Sequence, residues 1–189
     1  MMMTPEYSIV SEDFLFNTLN NHIRYVDVIK ELDLEDYEKI SLMESMKAKG
    51  CKFSDNTFSI ATIYGDLPIM KWLRENKCPW GEDVFSFAVG SGIMENIKWL
   101  HENRCPWGSC VYSSAIKFGN IKIMNWLKKN GCPWERCTFL EPAITGDIDK
   151  LEWLKKNNCP WGDGKYYSDD EIILSESTVK WLRSNNCEW

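Results

Sequence analysis

Histidine is nearly absent from the chain: its 189 residues contain two, His22 and His101. That leaves almost no material for an imidazole-based metal centre or catalytic triad. No nucleophile elbow, phosphate-binding glycine loop or dinucleotide fingerprint offers another route to catalysis. His101 occupies a register where repeated copies carry Arg74, Lys128, Lys155 and Arg183, so it reads as a surface residue, and His22 reads as a surface or capping residue. Gly162–Gly164 reads as a turn and Asp169–Asp170–Glu171 as the first turn of a helix. No enzyme is expected. Long apolar runs are missing too; none approaches the roughly 20 residues of a membrane span. The opening residues MMMTPEYSIVSEDF lack the basic and apolar parts of a secretory signal. The expected location is intracellular, in the cytoplasm, without membrane association.

An excess of positive charge is also lacking. The net charge is −6. Residues 1–41 hold nine acids and three bases, whereas residues 42–189 hold nineteen of each. A nucleic-acid binder needs a strongly basic patch, and neither part has the excess to build one. Lys128, Lys129, Lys155 and Lys156 form a local basic strip that reads as the solvated face of helices.

What the chain does have is repetition. WLKKNGCPW begins at Trp126, WLRENKCPW at Trp72, WLHENRCPW at Trp99, WLKKNNCPW at Trp153 and WLRSNNCEW at Trp181, with a degenerate SMKAKGCKF at Ser45. The motif cysteines Cys51, Cys78, Cys105, Cys132, Cys159 and Cys187 are spaced 27, 27, 27, 27 and 28, and all ten tryptophans fall at two positions of this register. A fixed period of this length marks a solenoid whose units bury their faces against one another.

The unit from Gly81 to Trp107 shows the parts. GEDVFSFAVGSG predicts a short helix stopped at Gly92, and MENIKWLHEN predicts a second helix with Met94, Ile97 and Leu100 on its apolar face. In other copies that face is Leu67, Met70 and Leu73, then Ile121, Met124 and Leu127, then Ile148, Leu151 and Leu154. The opening tryptophan, Trp126 in a central copy, is expected to be buried. Gly65, Gly92, Gly119 and Gly146 fit the turn between helices, followed by Asp66, Asn120 and Asp147 as N-caps. At the motif's end, Asn sits in the last helical turn, and the next residue takes a left-handed conformation. Cys then tucks in, Pro forbids continuation, and the closing Trp (Phe53 in the degenerate copy) packs under the loops. Pro142 is expected to interrupt the first helix of its repeat.

One cysteine per repeat suits neither a disulfide nor a metal site. Packed helices lie roughly 8–10 Å apart, whereas a disulfide needs Cα atoms within about 7 Å and zinc needs ligand atoms at about 2.0–2.3 Å. Cys110 and Cys137 lie outside the motif and read as loop residues. No metal or cofactor is expected.

Aligned on its turn glycine, the unit resembles the ankyrin repeat. Ala88–Gly92 (AVGSG) and Ala115–Gly119 (AIKFG) match that family's alanine-to-glycine turn. GDLPIMKWLRENKC and GNIKIMNWLKKNGC match its second helix and cap, with Cys in place of Ala. The match covers residues 42–161 and weakens toward residue 189. The family's period is about 33, so the hairpin finger is shortened or absent here, and DVFS (Asp83–Ser86) and CVYS (Cys110–Ser113) replace its T-P-L-H signature. In its WLxxNGCPW form the repeat is similar to ankyrin-repeat proteins of giant DNA viruses, which would make the compartment host cytoplasm or nucleus. The resemblance implies an all-α, ankyrin-like solenoid at 42–189, about five to six repeats with the last a degenerate C-terminal cap, preceded by an acidic helical cap at 1–41.

Such a solenoid implies a non-enzymatic module that binds another protein, here a host protein, through its concave face. The positions that vary most freely between copies are the pair before each turn glycine, Ile63 and Tyr64, Gly90 and Ser91, Lys117 and Phe118, Ile144 and Thr145, and the loop after the closing Trp. The candidate partner-binding residues among them are Tyr64, Ser91, Lys117, Phe118 and Thr145, with Glu82, Asp83, Ser109 and Arg136 in the loops. Tyr64 and Phe118 are the candidate anchors, since aromatic residues dominate interface hot spots. The alternative is a structural component that self-assembles as a homodimer through its C-terminal end, where Ile172, Ile173, Leu174, Trp181 and Trp189 would leave apolar surface. Titration of the denatured, unreduced protein should count eight thiols, and a count of six would reveal a disulfide.

Overall fold

The computed structural model describes residues 34–81, 83–108, 110–118, 120–134, 138–160 and 174–185. The expected helices before residue 34 and the acidic turn at 169–171 lie outside the described residues. Among those described, all regular structure is helical. The chain divides into two compact units, Met1–Gly81 and Glu82–Trp189.

The first unit contains α1 (Asp36–Ala48), α2 (Asp55–Tyr64) and α3 (Leu67–Glu75). Helix α1 crosses position 41 without a break, so its first turn, Asp36–Lys39, is continuous with the degenerate motif copy at Ser45. The second unit holds three helix pairs and a final helix: α4 (Val84–Ser91) with α5 (Met94–Glu102), α6 (Val111–Lys117) with α7 (Ile121–Lys129), α8 (Leu140–Thr145) with α9 (Ile148–Lys156), then α10 (Glu176–Ser184). The first helices of successive pairs pack together, α4 on α6 and α6 on α8, and α9 packs on α10.

Repeated local chemistry sets these boundaries. Asp66, Asn120 and Asp147 each accept the amide three residues on, from Ile69, Ile123 and Lys150, at 3.1 Å, as their N-cap register predicted. Lys150 also pairs with Asp147 at 2.7 Å. Burial opposes ionisation of Asp147, but the Lys150 contacts prevail and hold its carboxyl below the ordinary carboxylate range. Its contribution to stability is therefore present above that range and is lost as pH falls through the lowered pKa. In the first unit Lys39 meets Asp66 at 3.0 Å. Burial disfavours its charge, yet the Asp66 hydrogen bond and attraction prevail and raise its pKa. That contribution is complete below the ordinary lysine range and is lost as pH rises through the raised value.

The second helices end five times in one way. The amide of each motif cysteine bonds the carbonyl five residues back: Cys51 to Met46, Cys78 to Leu73, Cys105 to Leu100, Cys132 to Leu127 and Cys159 to Leu154, at 2.9–3.0 Å. The intervening residue is left-handed, with φ between 57° and 88° at Gly50, Lys77, Arg104, Gly131 and Asn158. This closure places the cysteine where an apolar group packs back on the helix, and Cys78, Cys105, Cys132 and Cys159 are buried accordingly. Turn glycines Gly65, Gly92 and Gly146 are left-handed as well. At Gly146 a β-carbon would also come within 2.8 Å of Ser175 Oγ. Pro142 does not interrupt its helix. It lies in the first turn of α8, where no intrahelical amide bond is lost, and the helix simply starts late, at Leu140.

The core carries Met70, Leu73, Ile97, Leu100, Met124, Leu127, Leu151 and Leu154 at 0% exposure, as the periodicity predicted. Two corrections concern this face. Ile121, five before its Trp, is 41% exposed, because it opens α7 at the turn. The position three before the Trp is buried instead, with Ile69 and Ile123 at 0% and Asn96 at 1%. The aromatic packing is richer than a ladder of closing tryptophans. Each packs on an aromatic of its own first helix, Trp80 on Phe58 at 4.8 Å, Trp107 on Phe85 at 4.5 Å and Trp134 on Tyr112 at 4.2 Å. The closing position also meets the next copy's opening Trp: Phe53 with Trp72, Trp107 with Trp126 and Trp134 with Trp153.

Successive second helices are joined by two side-chain links. An opening-Trp indole donates to the residue that precedes the motif one copy earlier: Trp72 to Glu44 at 2.5 Å, Trp153 to Asn125 at 3.1 Å and Trp181 to Glu152 at 2.6 Å. A lysine at the third motif position donates to the next copy's Asn Oδ1: Lys47 to Asn76, Lys128 to Asn157 and Lys155 to Asn185. The same asparagines turn Nδ2 back to their own opening-Trp carbonyl, Asn76 to Trp72, Asn157 to Trp153 and Asn185 to Trp181. Each closes its helix with one end of its amide and takes the neighbouring copy with the other.

Two outcomes follow for stability. Trp126 is half-buried rather than buried, since His101 and Trp107 cover only part of its ring. Trp126→Ala should cost about 2 kcal/mol, less than the 3–5 kcal/mol of a fully buried aromatic; a loss of 4 kcal/mol in denaturant unfolding would contradict the partial burial. Arg104→Gly should stabilise by about 0.5–1 kcal/mol, because relief of left-handed strain exceeds the backbone entropy of glycine, and a lowered melting temperature would contradict it.

Candidate partner-binding surface

The pair preceding each turn glycine ends the first helix of its repeat, where side chains leave the packed interior. Among the described residues of the second unit, the rim formed by the interhelical turns carries the large exposed apolar side chains. Phe118 is 60% exposed, Ile121 and Ile144 are each 41% and Ile93 is 39%. They sit at the interhelical turns of three consecutive helix pairs, whose first helices α4, α6 and α8 pack in succession. Phe118 rests against α4, where a β-carbon on Gly90 would approach its ring to 3.0 Å. Gly90 is therefore the seat of Phe118 and not a freely variable position.

The other candidates are placed as follows. Lys117 is exposed at the end of α6. Thr145 is exposed and donates its hydroxyl to Glu141 O at 2.9 Å. Ser91 is half-buried and donates to Ala88 O at 2.8 Å, so its hydroxyl is used locally. Asp83 is exposed at the N-cap of α4 and makes no side-chain cap. Tyr64 is half-buried in the first unit, where its neighbour Ile63 is 47% exposed. Glu82, Ser109 and Arg136 lie outside the described residues, as do Ile172, Ile173 and Trp189 of the alternative. Leu174 is half-buried and Trp181 is buried on α9 through Glu152.

Sequence reasoning missed Ile93 and Ile121. Ile93 was findable, because it stands where Asp66, Asn120 and Asp147 cap their helices, and an apolar residue in a capping position has no local task. The aromatic series Phe58, Phe85, Tyr112 and Phe139 was findable too, being spaced by 27 throughout.

Elsewhere the chemistry is structural. His101 stacks on Trp107 at 5.1 Å and meets Trp126 edge-on at 5.3 Å, while Arg74 lies 4.4 Å over Trp80 in the equivalent place. Lys128 and Lys155 of the basic strip hold Asn157 and Asn185. Among the described residues no three His, Cys, Asp or Glu side chains gather as a metal site, no disulfide forms, and no helix is long and apolar enough to cross a membrane. Burial, with Asp55 nearby, pushes the Cys78 thiol up to about 11, whereas Cys110 is exposed at the N-cap of α6.

No family model matches the chain, and no curated protein or solved structure matches it.

The thiol environments are directly testable. Brief alkylation of the folded protein at pH 8 should label Cys110 well before Cys78, Cys105, Cys132 or Cys159, because the thiolate is the reactive form and the latter are buried. Peptide mapping that finds Cys78 labelled as fast as Cys110 would overturn this placement.

Proposed function

We propose that the chain is a non-catalytic, ankyrin-like repeat solenoid with reduced hairpin fingers, whose task is to bind another protein through the face carrying its interhelical turns. The observation that supports this most is the exposed apolar rim, Ile93, Phe118, Ile121 and Ile144. Each of these residues keeps 39–60% of its surface open to water, Phe118 while resting on α4 at Gly90. A large aromatic seated on glycine and 60% exposed is the kind of side chain that becomes an interface anchor once water is excluded around it. Lys117 and Lys122 flank it on the same helix pair and would steer the approach of a partner more than hold it. The rim needs neither cofactor nor reacting group.

The test pairs binding with stability. Proteins captured from source cells by the intact chain should be lost with Phe118→Ala combined with Ile144→Ser, while the melting temperature moves by no more than a few degrees. Surface changes typically alter stability by under about 0.5 kcal/mol, whereas a central aromatic anchor carries about 2 kcal/mol or more of binding. Undiminished capture by the double variant would contradict the rim as the binding surface. Light scattering of the purified intact chain at twice the monomer mass, lost in the same variant, would favour self-association instead.

A further inference from the structure

We propose that the α4–α5 hairpin is built as the opening segment of the Glu82–Trp189 unit, a helix pair that unfolds locally while α7 and α9 stay folded. Four independent features converge on it. First, α5 starts without a side-chain cap: its N-cap is Ile93, whereas Asp66, Asn120, Asp147 and Ser175 cap α3, α7, α9 and α10. Second, Asn96 is 1% exposed and its Nδ2 finds no hydrogen-bond partner, in the register where Ile69 and Ile123 are fully buried. A buried amide donor left unsatisfied carries its whole desolvation cost.

Third, the joint from α5 to α7 lacks both side-chain links that join α1 to α3, α7 to α9 and α9 to α10. The residue that would accept from the Trp126 indole is Lys98, which has no acceptor. The residue that would donate to Asn130 is His101, which packs between Trp107 and Trp126 instead. Asn130 keeps its bond to the Trp126 carbonyl at 2.8 Å, so the helix end is intact and only the bridge is missing. Fourth, α5 closes through Arg104 at φ +60°, a left-handed residue that is neither glycine nor asparagine, where the ends of α1, α7 and α9 use Gly50, Gly131 and Asn158. No other second helix described combines all four. Free energies of local opening span the range from near zero to the global value, and segments with uncapped ends and unsatisfied groups occupy its low end. Each opening also removes Gly90, the seat of Phe118.

Hydrogen exchange of the full chain, read by peptide mass spectrometry at neutral pH, tests this. Amides within Val84–Glu102 should exchange at least tenfold faster than those within Ile121–Lys129 and Ile148–Lys156. Ile93→Asp combined with Asn96→Val restores a cap and removes the unsatisfied amide. It should slow exchange in Val84–Glu102 at least tenfold and change Ile148–Lys156 by less than twofold. Ile93→Asp alone, which adds no volume to the core, should slow it at least threefold. Equal protection across all these helices would overturn the proposal. So would repaired variants that slow every helix alike, or that leave Val84–Glu102 unslowed.

Discussion

The fold depends on the two-sided use of one amide. The motif asparagine closes the helix that carries it by donating to a carbonyl one turn back, and its oxygen receives a lysine from the preceding copy at Asn76, Asn157 and Asn185. Aspartate could accept the lysine but not donate to the carbonyl, and alanine could do neither. A helix of nine residues is too short to be stable by propensity. Tying its last turn to the next helix lets one group serve local and tertiary structure together. The indole bonds of Trp72, Trp153 and Trp181 act in parallel, and Met70, Leu73, Met124, Leu127, Leu151 and Leu154 supply the apolar burial on which both links ride.

Much of this was legible in the sequence. The helix pairs, the left-handed ends, the caps at Asp66, Asn120 and Asp147 and the buried motif cysteines all follow from short-range rules acting on residue types. Pro142 was misjudged because proline breaks a helix interior but suits a first turn, and nothing in FLEPAITGD fixes where α8 begins. The Lys–Asn and Trp–acceptor links were not legible in advance. They join residues 28 to 30 apart, and their donors and acceptors look like ordinary surface polar residues until the packing of successive copies is known. His101 illustrates the difficulty: it belongs to the same register as Lys128, yet its ring lies among indoles.

The candidate surface was legible in part. Lys117, Phe118 and Thr145 are exposed as expected from their register, whereas Tyr64 and Ser91 are half-buried. Free variation between copies does not distinguish a residue facing solvent from one whose partner changes with it. Gly90 shows this directly, since its small size answers to Phe118 one copy later.

A double-mutant cycle on Lys128 and Asn157 measures whether the asparagine bridges couple one copy to the next. Unfolding free energies of the intact chain, Lys128→Met, Asn157→Ala and the double variant would give the coupling free of each residue's other contacts. The expected coupling is about 0.5–1.5 kcal/mol, that of an ordinary hydrogen bond, since water weakens the exposed charge of Lys128. Strictly additive effects, with coupling indistinguishable from zero, would mean that the bond joins the helices in space without holding them.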